Sequence, residues 1–142
     1  MRWTEYLRDL YNDERENNDT FFNEDGPSML REEIESAIKQ TNKGKTPGPD
    51  NIVIEEIEAI GDFGVDILTK LMNDIYDTGY LPQDLKKSIF IPLPKKDGAV
   101  ECEDHRTICI MSHVTKIFLR VILRRIRNKI KPEIAEVQCG FV

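Results

Sequence analysis

IFIPLPKKDGAVECEDHRTICIMS, residues 89–112, decides how the rest of the chain is read. Ile89, Phe90 and Ile91 form a short apolar run of β-favouring residues. Pro92 and Pro94 restrict the backbone beyond that run, so this strand lies at an edge or ends there. Lys95, Lys96, Asp97 and Gly98 have turn chemistry, with Gly98 able to supply a positive φ. Ile108, Cys109, Ile110 and Met111 can return along the first strand. The pattern predicts a β-hairpin arm presenting Lys95, Lys96 and Arg106 together. Those groups suit a phosphate: arginine as a planar fork, lysine as a mobile point charge. Solvated charges at an ordinary hairpin tip are the plainer alternative.

C-terminal to the arm, Val114, Ile117, Phe118, Val121, Ile122, Ile126 and Ile130 recur every three or four residues. The spacing predicts a helix over 114–130, ended by Pro132. Lys116, Arg120, Arg124, Arg127 and Lys131 occupy much of its other face, with Arg125 and Lys129 beside them. No acid interrupts between Lys116 and Lys131. A structural surface helix often carries i,i+4 acid partners. Their absence leaves two readings open, a solvated face or contact with a polyanion.

N-terminal to the arm, Val65, Leu68, Leu71, Met72, Ile75 and Tyr76 make the strongest helical stripe, with Gly79 as its stop. Ile54, Ile57 and Ile60 suggest a short helix, broken at Asp62-Phe63-Gly64. Leu30, Ile34, Ala37 and Ile38 form another stripe. Ser28 is its expected N-cap, with Glu32 and Glu33 in the favourable first turn. Between these helices runs Lys43-Gly44-Lys45-Thr46-Pro47-Gly48-Pro49-Asp50, which cannot be helical. It is not a nucleotide-binding P-loop. That loop needs four residues between its glycines and then Lys and Ser or Thr. Here three residues separate Gly44 from Gly48, and no Gly-Lys-Ser/Thr comes after.

At the start, Trp3, Tyr6, Leu7, Leu10 and Tyr11 mark one apolar helical face. A polar, acidic linker comes next and closes at Glu24-Asp25-Gly26-Pro27.

The 142 residues carry a net charge of −6, unevenly spread. Residues 1–84 hold 8 Lys and Arg against 20 Asp and Glu, while 85–142 hold 12 against 6. The result is an acidic half of −12 joined to a basic half of +6. That excludes a uniformly basic nucleic-acid binder and admits one whose basic half does the binding. The opening residues lack the apolar core of a secretory signal, and no apolar run approaches the roughly 20 residues of a membrane span. Three cysteines without framework spacing favour a reduced, intracellular setting, nuclear or cytoplasmic.

Cys102, His105, Cys109 and His113 have four zinc-competent side chains. Converging them would destroy the return strand, so no metal site is expected. Asp97, Glu101, Glu103 and Asp104 sit beside lysines with no apolar pocket to raise a pKa, so no acid–base catalysis is expected.

Several of these stretches occur in a telling order. Gly44-Lys45-Thr46-Pro47-Gly48-Pro49-Asp50 comes first, then Ile89-Phe90-Ile91-Pro92-Leu93-Pro94-Lys95-Lys96. His105-Arg106-Thr107-Ile108-Cys109-Ile110-Met111-Ser112-His113, Lys116 and Gln138-Cys139-Gly140-Phe141 come after them. The ordered set resembles the N-terminal part of the reverse transcriptase domain of non-LTR retrotransposons, of the endonuclease–reverse transcriptase kind. Arg2-Trp3-Thr4-Glu5-Tyr6-Leu7 resembles the connector after the endonuclease in those polyproteins. Nearly the whole chain is covered. Departures are His105 for Tyr or Phe, Thr107 for the usual Pro, and Val142 where Arg commonly stands.

The resemblance implies an α+β fold, mainly helical with a β-hairpin arm: the fingers of a right-hand polymerase, the palm missing. Residues 1–27 would be the connector and 28–142 the partial reverse transcriptase domain. Lys95 and Arg106 would face the triphosphate of the incoming nucleotide. Lys96, Lys116, Arg120, Arg124 and Arg127 would lie near RNA template and DNA primer. In that family the catalytic aspartates come after the QxGF element, so these residues include no catalytic group, and Mg²⁺ is expected only in the complete polymerase. A truncated, inactive polymerase is the first reading. A non-enzymatic RNA- or DNA-binding module, with weak non-specific RNA binding, and an inactive relic are the others.

Overall fold

The computed structural model of the chain describes residues 2–12 and 26–131. Most of the expected linker, together with Pro132 and Gln138-Cys139-Gly140-Phe141, lies outside those residues. The described elements are α1 (Arg2–Leu10), α2 (Arg31–Lys39), α3 (Ile54–Ala59), α4 (Asp62–Thr78), α5 (Gln83–Lys86), β1 (Ser88–Pro94), a short 3₁₀ turn (Cys102–Asp104), β2 (His105–Met111) and α6 (His113–Ile130). The fold is α+β, mainly helical with one two-stranded hairpin. Two compact units divide it. One joins residues 1–26 to 90–109, and the other joins 27–89 to 110–142. Among the described residues no helix is long and apolar enough to cross a membrane.

In the first unit, the hairpin register is set by Lys95 N–H donating to Asp104 O at 2.8 Å. The seven residues of β1 then pair with the seven of β2, Pro94 opposite His105 and Leu93 opposite Arg106. Pro92 and Pro94 fall where the amide points away from the partner strand, so the ladder loses no donor. Gly98 takes φ +73 in the tip, as turn chemistry requires. The return strand begins at His105, three residues before the apolar run that suggested it. Trp3 meets His105 edge-on at 5.1 Å, and Tyr11 tilts against Phe90 at 5.6 Å. Phe90 and His105 alternate onto one face of the hairpin, the face α1 covers. The other face carries Ile91, Leu93 and Ile108, all exposed, with Arg106.

In the second unit, α2, α3, α4 and α6 share a core of Ile34, Ala37, Ile38, Ile54, Ile57, Val65, Leu68, Met72, Val114, Ile117 and Val121. Ile34, Ile54, Met72 and Ile117 are fully buried. Gly79 ends α4 in the left-handed conformation, as its position suggested.

Four expectations are corrected. Ser28 does not cap α2, because the chain runs on to Leu30 in extended form before turning; Arg125 holds the Ser28 carbonyl there. The cap is Leu30, whose N–H donates to Glu33 Oε2 at 2.9 Å, and its side chain is exposed rather than part of the stripe. The break before α4 is Gly61, at φ +62, and Asp62-Phe63-Gly64 is already helical. Gln83–Lys86 forms one helical turn before the hairpin. Finally, Ile126 and Ile130 are exposed, because the 3.6-residue period carries them off the line of Val114, Ile117 and Val121.

Candidate nucleic-acid interface

Ser112 starts α6 with a true N-cap, its Oγ accepting from Thr115 N–H at 3.0 Å. The loop before α3 fixes that end. Gly48 is buried so closely on Ser112 that a Cβ there would lie 2.5 Å from Ser112 N and 2.6 Å from Ser112 Cα. The loop between α2 and α3 is thus a seat for the start of α6. Lys43 binds Glu58 at 2.6 Å, and Gly44 N–H donates to Glu55 Oε1 at 2.6 Å. That amide holds the Glu55 carboxyl below its usual range.

The arginines of α6 divide by partner. Arg125 forks onto Glu33 of α2, Nε to Oε1 at 2.9 Å and Nη2 to Oε2 at 2.5 Å. It also donates to the carbonyls of Pro27 and Ser28. The Arg125 guanidinium lowers the Glu33 carboxyl, and Glu33 in turn raises Arg125. This arginine is structural.

Arg120 and Arg124 also turn onto α2, but onto neutral oxygens. Arg120 donates to Gln40 O, and Arg124 Nη1 donates to Ser36 Oγ at 3.0 Å. Gln40 Nε2 shares the same Ser36 oxygen at 3.2 Å. Neutral partners orient a guanidinium without cancelling its charge. Arg127 is exposed beside them, and Leu123 and Asn128 complete an open groove with Gln40. Among the described residues no carboxylate lines it. Such a groove fits phosphate groups, since a planar fork can meet two oxygens at once. Lys116 lies on the same side of the helix, half-buried.

The hairpin residues belong to the other unit and form their own group. Lys95 Nζ donates to Glu103 O at 2.7 Å. Lys96 Nζ pairs with Asp104 Oδ1 at 2.8 Å, which holds the Asp104 carboxyl below its usual range. The register puts Lys95 and Arg106 on one face of the hairpin, two residues apart along it. Arg106 is exposed with no side-chain partner among the described residues. Of the three, Arg106 is the group whose side chain has no partner among the described residues, and Lys96 is the one already charge-paired.

Sequence reasoning missed Ser36 and Gln40, which carry no signal of their own. It also left Arg125 among the surface charges, although its place one turn after Val121 on the core side could have marked it. Among the described residues no three His, Cys, Asp or Glu side chains are grouped to hold a metal. Cys102 is buried in the 3₁₀ turn, Cys109 is exposed, and His105 Nδ1 donates to Glu101 O at 2.8 Å. His113 is buried in α6.

No family model matches the chain. Over 118 residues it is 23% identical to a retrovirus-related Pol polyprotein from type-1 retrotransposable element R1 of Bradysia coprophila. The match covers 81% of this chain and 12% of that protein, so the chain spans about an eighth of its relative's length. The similarity is thus to one part of a retrotransposon Pol polyprotein.

Proposed function

We propose that these residues form the fingers part of a non-LTR retrotransposon reverse transcriptase, preceded by a connector over residues 1–27. The observation that carries the reading is the α2–α6 groove, with Arg120, Arg124 and Arg127 beside neutral partners on a chain similar to a Pol polyprotein. The groove takes the phosphate backbone of RNA template or DNA primer. Lys116 adds charge on the same side, and Lys96 adds it at the hairpin tip. Lys95 and Arg106, on one hairpin face, address the triphosphate of the incoming nucleotide in the complete enzyme. Mg²⁺ would supply the two-metal chemistry of that enzyme, held by palm carboxylates outside these residues. This chain's own work is binding and positioning.

The test has two arms. The purified 142-residue chain should retain RNA in a salt-sensitive way, yet extend no primer on an RNA template with Mg²⁺ or Mn²⁺. Template-dependent incorporation would overturn the reading of these residues as fingers without a palm. Absence of any RNA retention at low salt would overturn the groove.

A further inference from the structure

Two helices of the second unit carry an apolar face that the core does not use. On α6, Leu119, Leu123, Ile126 and Ile130 are 44–48% exposed. They recur at i, i+4, i+7 and i+11, a stripe well away from the buried Val114, Ile117 and Val121. At the α3–α4 corner, Ile60, Phe63 and Ile67 are 55%, 70% and 49% exposed. Gly64 lets Ile60 close on the start of α4, since a Cβ there would lie 3.0 Å from Ile60 Cβ. Single exposed apolar residues are ordinary, but contiguous stripes of this kind mark contact surfaces.

Their charge surroundings are opposite. α6 has no acid anywhere between His113 and Ile130, and Lys116 and Arg127 border its stripe. The exposed side of α4 carries Asp62, Asp66, Asp74 and Asp77 against Lys70. Arg31 offsets part of that charge through Asp62 at 2.7 Å and Asp66 at 2.8 Å, yet the carboxylates stay 93% and 65% exposed. Two α6 faces would repel, and so would two α4 faces. An α6 face against an α4 face matches apolar to apolar and basic to acidic.

We infer that the α6 stripe of one chain docks on the α3–α4 corner of a second copy, head to tail. Such an interface is heterologous: it uses two different patches and leaves one of each free at the ends, so it grows by addition. Its charge component weakens with salt.

The experiment is sedimentation of the whole chain over rising protein concentration at low and high salt. Two variants accompany it, one with Phe63→Glu and Ile67→Glu, the other with Leu119→Glu and Ile126→Glu. All four positions are exposed, and circular dichroism verifies that both variants keep their helix content. The wild-type mass should climb with concentration and fall back with salt. Each variant alone should stay at the mass of one chain. Mixed in equal amounts they should stop at twice that mass, because each retains the patch the other has lost. A wild-type chain that stays monomeric overturns the inference. So does a variant pair that stays monomeric, or association lost in only one variant. A monomeric chain that sediments with phosphatidylserine-containing vesicles would assign the α6 stripe to a membrane instead, and equally overturn it.

Discussion

Arg125 lies across Glu33 as a fork on a carboxylate, 2.9 Å and 2.5 Å apart at its two contacts, joining helices whose residues are 92 positions apart in the chain. The same guanidinium holds the carbonyls of Pro27 and Ser28, where the chain enters α2, and stands 5.9 Å from the ring of Tyr76. Arg125→Ala removes all of these contacts at once. Removing one partner of a buried ion pair costs about 3–5 kcal/mol. Here the side chains are 20% and 24% exposed, so solvent screens part of that. The expected loss is about 2–3 kcal/mol, or a melting temperature lower by roughly 5–10 °C for a chain of this size. Thermal unfolding followed by circular dichroism measures it. Arg125→Lys, which keeps the charge but not the fork, should recover only a minor part.

The pair also sets a pH dependence. Arg125 keeps the folded Glu33 carboxyl below its ordinary value of 4.5. Its contribution is therefore complete above that ordinary value, and it is lost as pH falls through the lower folded one. Urea titrations at neutral pH and at successively lower pH should show the wild-type advantage over Glu33→Gln shrinking only below about pH 4.5. An advantage that is flat across the acid range would mean the carboxylate is not held by Arg125.

Gly48 is the next sensitive point. A methyl group there meets backbone atoms, Ser112 N, Ser112 Cα and Met111 C, all within 2.7 Å. Backbone cannot swing aside as a side-chain end can. Gly48→Ala should cost at least about 2–3 kcal/mol, at the upper end of overpacking effects. Gly44→Ala makes a control of another kind. No atom lies within 4 Å of the added group, and its φ of +66 leaves only the backbone cost, about 1–2 kcal/mol. Equal stability of Gly48→Ala and wild type in urea would contradict the close seating of α6.

Local signals were legible in the sequence because their causes are local. The stripe from Val65 to Tyr76 needs only a helical period, and Gly79 needs only its own freedom to take positive φ. The hairpin was legible because its apolar run and tip chemistry are contiguous, although the α1 contacts at Phe90 and His105 were not. The misreadings have separate causes. Ser28 has a capping side chain, but the chain stays extended to Leu30 and α2 begins only at Arg31. Ile126 and Ile130 have core chemistry, but the helix turns them out. At the candidate interface, the arginines could be named from the charge run. Which one is neutralised depends on Glu33, and which are held by neutral atoms depends on Ser36 and Gln40. Neither can be read from spacing within α6.

Zinc gives a fourth expectation. Cys102 lies in the 3₁₀ turn, Cys109 on β2 and His113 in α6, while His105 is committed to Glu101 O. Elemental analysis of chain purified without chelator should find well under one zinc per molecule. Stoichiometric zinc whose chelation unfolds the protein would require the hairpin to rearrange.

The groove formed by Arg120, Arg124 and Arg127 is the core of the functional account, and salt dependence tests it most directly. RNA binding is measured by fluorescence anisotropy at several salt concentrations, for the wild-type chain and for Arg120→Ala with Arg124→Ala. The wild type should bind single-stranded RNA non-specifically, with Kd about 10⁻⁴ to 10⁻⁶ M at physiological salt. Each phosphate contact on a single strand contributes about 0.7 to the slope of log affinity against log salt. The double variant should therefore bind more weakly and with a slope shallower by about 1.4. Equal affinities and equal slopes would show that the two arginines contact no phosphate, and would contradict the account.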